Sequence, residues 1–149
     1  MAGFDVTVTP TVTNGAYSAG DIMGALMSFP TGRGNGVAVI VNEISVMIKA
    51  AVTPSLNFVL LTADPTSTTK TDNAAYSLNA ADAFKVRKTI PVTTLYDHGT
   101  PNEYSSGGIN LVVKPNGAGD ILYGLLIDGT GVTLTSTSDI QVRMTGIPA

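Results

Sequence analysis

The chain has 149 residues, no cysteine, a formal net charge of -3 and only 13% charged residues. That length suits one domain (1–149) able to bury a core unaided, and the missing cysteine removes disulfides, thiolate metal sites and cysteine nucleophiles. The eight basic residues are scattered apart from Lys85, Arg87 and Lys88, so the footprint of a nucleic-acid binder is missing.

So few charges leave apolar surface to be covered by another protein, and a closed homo-oligomer, dimer or trimer, is expected. The opening "MAGFDVTV" lacks the basic patch and long apolar core of a signal peptide. The densest apolar run, "GVAVIV" at 36–41, is far too short to span a membrane. The expectation is a soluble protein made in the cytoplasm, with no membrane partner.

In chain order, "FDVTVTPTVT" alternates with period two: Phe4, Val6 and Val8 face one way, Asp5, Thr7 and Thr9 the other. Pro10 then interrupts the ladder, which marks residues 2–13 as an edge strand or arm. "NGAYSAG" is a turn, and residues 21–29 read as one strand, apolar on both faces and punctuated by Gly20 and Gly24. After the glycine-rich turn at 30–36, residues 37–50 read as one bent strand. Val39 and Val41 share a face, Ile44, Val46 and Ile48 share another, so a bulge belongs near Asn42 and Glu43. Residues 55–63 form an apolar strand that stops at Asp64-Pro65, a turn-forming pair. "AAYSLNAADAFK" at 74–85 is the one helix-compatible stretch and predicts a single helical turn. Strand returns at 86–95, a long polar loop follows at 96–108, and strands close the chain near 109–114, 121–127 and 139–145.

About eight short strands with Gly/Pro turns and almost no helix predict an all-β fold, an antiparallel β-sandwich of jelly-roll type. An immunoglobulin-like sandwich is the structural alternative, weakened by the absent tryptophan and cysteines.

Catalytic chemistry finds little to work with. His98, the one histidine, has Asp97 and Glu103 as candidate orienting acids, but no serine sits in a strained nucleophile turn. Asp97, Glu103, Asp120 and Asp128 read as solvated turn acids. "DGTG" at 128–131 lacks the alternating acids and closing Glu of a calcium loop. "GRGNG" at 32–36 precedes a strand rather than the helix that a phosphate cradle needs. No catalytic residue, cofactor or metal ligand is expected. Five dispersed tyrosines form no stacking series, although Tyr96 and Tyr104 share a segment.

Three segments carry a resemblance: "YSAGDIMGALMSFP" (17–30), "LLTADPTSTTKTDNAAYSL" (60–78) and "LYGLLIDGTGVTLTSTSDIQVRM" (122–144). They resemble small structural proteins of tailed-bacteriophage heads, including capsid decoration, or cement, proteins. The resemblance implies a virion structural protein on the outer surface of the capsid, with the major capsid protein as partner and no catalytic residues. A head-fibre base, a tail component or a carbohydrate- or host-surface-binding module are the alternatives. On this reading the interface is expected at Phe4, Val6 and Val8 of the edge strand, at Asp21, Met23 and Met27, and at Tyr96 and Tyr104. One face of the 21–29 strand would then pack on the core and the other on a second subunit.

Overall fold

A computed structural model describes residues 3–116 and 119–149; Ala2 of the expected arm and Gly117 and Ala118 of the turn before residue 121 lie outside them. Among the described residues there are eleven strands: β1 (Phe4–Val8), β2 (Asp21–Ile22), β3 (Met27–Pro30), β4 (Val39–Ile48), β5 (Leu56–Leu61), β6 (Val86–Val92), β7 (Thr94–Asp97), β8 (Asn102–Ser105), β9 (Leu111–Val113), β10 (Ile121–Asp128) and β11 (Ile140–Pro148). The helical turn is a 3-10 helix, Ala80–Lys85.

The strands pair antiparallel in two sheets. The first runs β1-β11-β4-β8-β7, with β9 also on β4; the second runs β2-β10-β5-β6, with β3 also on β10. Taking β2 with β3, and β8 with β9, as single interrupted strands and setting β7 aside as an added edge strand leaves eight positions, ordered 1-8-3-6 and 2-7-4-5. That is the order of a jelly roll, as the strand spacing predicts.

The bulge falls where the parity switch puts it. Thr145 pairs with Glu43 but Gly146 pairs with Val41, so Asn42 has no partner on β11. The extra residue turns Val39 and Val41 onto the same core face as Ile44, Val46 and Ile48, all of them buried.

Three expectations need correction. Residues 21–29 are two short strands, because Gly24 (φ +76°) turns the chain between them and a Cβ there would strike Pro10. Residues 86–95 break at Thr93, where the chain leaves one sheet for the other, β6 to β7. The polar loop at 96–108 is largely a hairpin of β7 and β8, held because β8 pairs with β4.

Between the sheets lies the main core, with Phe29 set edge-on to Phe58 at 5.8 Å. Gly124 lets it close: a Cβ at that position would sit inside the Phe58 ring. A second apolar cluster, Ile22, Val59, Leu61, Leu125 and Ile127, is buried on the outer face of the second sheet. Residues 62–85 cover it. This segment starts and ends beside β5, where Thr62 N donates to Lys85 O at 2.8 Å. It also reaches the opposite edge, where Asn73 N donates to Ile22 O at 2.8 Å and Ile22 N to Ala74 O at 2.9 Å. The second sheet is thus buried on both faces by its own chain. That accounts for a strand sequence that is apolar on both sides without any second subunit.

Candidate interaction surface

The covering segment is fixed by carboxylates. Asp72 accepts from Thr13 Oγ1, Tyr17 Oη and Gly24 N, each at 2.6 Å, tying the cover to the N-terminal third of the chain. Burial and this hydrogen bond push the Tyr17 hydroxyl up to about 12. Asp82, fully buried, accepts from Lys85 Nζ at 2.8 Å, Thr68 Oγ1 at 2.7 Å and Ser67 N at 2.9 Å. The Lys85 ammonium holds the Asp82 carboxyl below its ordinary value, with Thr68 and Ser67 adding to the effect.

Asp82 lies inside the 3-10 helix, so anchoring it aims the rest of that turn outward. Asn79 caps the turn through Oδ1, which accepts from Ala81 N at 2.9 Å. The product is an exposed apolar ridge of Leu78, Ala80, Ala81, Ala83 and Phe84, with Phe84 fully exposed at 102%. A phenylalanine held wholly in water on a pinned turn gains nothing from its own fold. Beside it, Arg87 is the extra residue of a second bulge, since Leu60 pairs with Lys88 and Leu61 with Val86. Its guanidinium donates to Val112 O at 3.0 and 3.2 Å, and Lys88 is exposed. The basic trio therefore divides, with Lys85 turned inward and only Arg87 and Lys88 on the surface.

The expected interface residues do not come together. Met23 and Met27 are 0% and 2% exposed and lie in the main core, so they are unavailable to a partner. Phe4, Asp21 and Tyr104 are buried as well, and Val6 and Val8 are half-buried against the same core. Asp21 accepts from Ser18 N at 2.7 Å. β1 is an edge strand, but Phe4 and Val12 close the core, so the expected arm is part of the sandwich. Of the eight residues only Tyr96, at 65%, is exposed, with Leu95 beside it at 45%. Sequence reading missed Phe84, Leu78 and Leu95. The available signal was an apolar residue that fits neither period, as Phe84 does in "AADAFK".

His98 does meet an acid: its Nε2 lies 3.1 Å from Glu103 Oε1, and its ring lies tilted against Tyr96, with centroids 4.7 Å apart. The pair sits on the open β7–β8 hairpin. Asp128 is not solvated as expected but fully buried, with Oδ1 accepting from Thr130 N and Oγ1. A shallow groove of about 280 Å³ crosses the outer face of the first sheet between Thr9, Met47, Lys49, Ser138 and Gln141. Its acid, Asp139, is taken up by Thr135 and Ser136. Among the described residues no three His, Cys, Asp or Glu side chains gather as a metal site requires. No described helix is long and apolar enough to cross a membrane. Compared with models of protein families and with curated proteins, the chain matches none.

Proposed function

We propose that this chain is a virion structural protein, a decoration protein that binds the outer surface of a tailed-phage head and stabilises the shell without turning over any substrate. The observation that carries the reading is Phe84, presented by a turn that Asp82 and Asn79 hold rigid. A pre-formed apolar anchor loses little entropy on docking, and anchors of this kind dominate binding energy. Arg87 and Lys88 favour an acidic rim on the partner, which on this reading is the major capsid protein. Three further points support it: the likeness of the three segments to head proteins, the jelly-roll frame, and carboxylates engaged in structural hydrogen bonds.

Binding the assembled shell but not its dispersed subunits stabilises the shell by mass action. Repetition over a lattice multiplies a modest contact into high avidity. Adding purified protein to shells that lack it should raise their heat resistance, and mass spectrometry of virions should count hundreds of copies. Phe84→Ser should weaken shell binding by at least about tenfold while leaving the melting temperature of the free protein in place. Equal DNA release with and without saturating protein would reject a cement role. A handful of copies per particle would favour a fibre base or tail component instead.

A further inference from the structure

The first sheet ends on an open edge of unusual character. All four residues of β7 are exposed, so the strand overhangs the sandwich with neither face covered. Its hydrogen-bonding parity follows from its neighbours. Ser106 N donates to Ile44 O at 2.9 Å, which turns Tyr104 and Asn102 toward β4 and leaves Glu103 and Ser105 to face β7. Thr94 and Tyr96 therefore bond β8, while the N–H and C=O of both Leu95 and Asp97 point outward.

Among the described residues the other edges are guarded, β9 by the Arg87 guanidinium on Val112 O. β6 carries Pro91 and the exposed Arg87 and Lys88, the devices that blunt an edge. β2 is occupied by residues 73–76, and β3 ends on Pro30. β1 lies against β3 of the opposite sheet, which crowds any strand added beside it. β7 has neither proline nor lysine.

We propose that β7 pairs with the β7 of a second copy, antiparallel about a two-fold axis through Tyr96, so that two first sheets become one. In that register each outward residue meets an outward residue, Leu95 with Asp97 of the second copy and the reverse, which makes four backbone hydrogen bonds. Tyr96 faces Tyr96 of the second copy at a non-hydrogen-bonded position, where cross-strand side chains approach closest and aromatic pairs stabilise. His98 falls opposite Thr94, so no like charges oppose each other. The Asp97 carboxylate already accepts from its own Gly99 N at 2.7 Å. A self-complementary edge of this kind closes as a dimer and leaves no further edge to propagate. This inference stands apart from the shell reading and is tested without shells.

The experiment is sedimentation of the free protein from about 1 μM to about 1 mM, a range suited to a contact smaller than a standard interface, with amide exchange read in parallel. Wild type should pass from monomer to dimer, with protection of the Leu95 and Asp97 amides rising alongside. Tyr96→Lys sets two ammonium groups face to face and should weaken the dimer at least about tenfold. Leu95→Pro removes only an outward N–H, so it should abolish the dimer while the melting temperature holds. Leu95→Lys places its ammonium opposite Asp97 of the second copy and should leave the dimer as tight as wild type or tighter, which reports the register. Three results would overturn the proposal: a monomer throughout, a dimer indifferent to Tyr96→Lys and Leu95→Pro, or a dimer that forms without protection of the Leu95 and Asp97 amides.

Discussion

Residues 62–85 and residues 93–108 are both polar, turn-rich excursions from the jelly roll, and each carries acids that find partners. The partners differ in reach. Asp72 bonds residues 48, 55 and 59 positions away, and the excursion it belongs to becomes a cover over an apolar sheet face. Asp97 bonds a residue two positions away, and Glu103 one five positions away, and that excursion stays an overhanging hairpin. Long-range carboxylate bonds spend polar groups inside the fold and make cover. The local bonds of Asp97 and Glu103 stay within the hairpin and leave its outer edge in water. One excursion supports the fold and the other leaves an exposed strand edge, and Phe84 is the part of the cover turned outward.

The contrast is broken most severely on the covered side. Met27→Asp places an unpaired carboxylate in the main core, at a cost of about 4 kcal/mol or more, and should remove the cooperative unfolding transition altogether. A variant that still melts normally would mean Met27 is not core. Next, Asp72→Ala strands three donors at once and should lower stability by roughly 3–5 kcal/mol in urea titrations. Amide exchange should then speed up across residues 66–78 before the β4–β11 pairing loosens.

Alkaline pH probes the same anchor. Native Tyr17 holds its proton up to about 12 whereas the unfolded side chain releases it near 10.0, so its contribution is complete below pH 10 and fades as pH rises toward 12. Tyr76 and Tyr104, raised by burial, act in the same direction. Tyr17→Phe should therefore shallow, not abolish, the alkaline fall in melting temperature. On the acid side the sign reverses. Asp82, held low by Lys85, stabilises above its unfolded value near 3.8 and loses that contribution as pH drops further. The smallest effect belongs to the hairpin: Glu103→Ala removes an exposed pair with His98 and should change stability by under about 0.5 kcal/mol. A larger loss would mean that the hairpin, too, is part of the fold's support.

Much of this frame was legible in the residues, and the failures have physical causes. The Asn42 bulge was readable because a two-residue period admits no other way to bring Val41 and Ile44 to one face. The Phe4, Val6, Val8 alternation was readable for the same reason. The break at Gly24 was not, since it depends on Pro10 arriving from another part of the chain. The two-sided apolar character of residues 21–29 was misjudged because a sandwich was taken to cover only one face of each sheet, whereas Met23 and Met27 face the main core and Ile22 the outer cluster. Residues 62–85 supply the missing cover, and no local pattern announces them. β7 and β8 are polar in sequence and become strands only through the partner β4. Of the candidate surface, Tyr96 was foreseen and Phe84 was not, because exposure is decided by where Asp82 is tied down.

The placement of β11 bears on how the protein comes into being. It is an interior strand of the first sheet, between β1 and β4, and it is formed by residues 140–148. On the ribosome the earliest strand therefore waits without its partner until those residues have emerged, and β4 lacks one of its two neighbours for just as long. Contacts of such large sequence separation close slowly. Nascent chains would spend that interval with apolar strand faces uncovered, the period in which they most need chaperones or dilution. Arrest of synthesis before residue 140 should accordingly yield protease-sensitive chains, and emergence of residues 140–148 should bring resistance in one step.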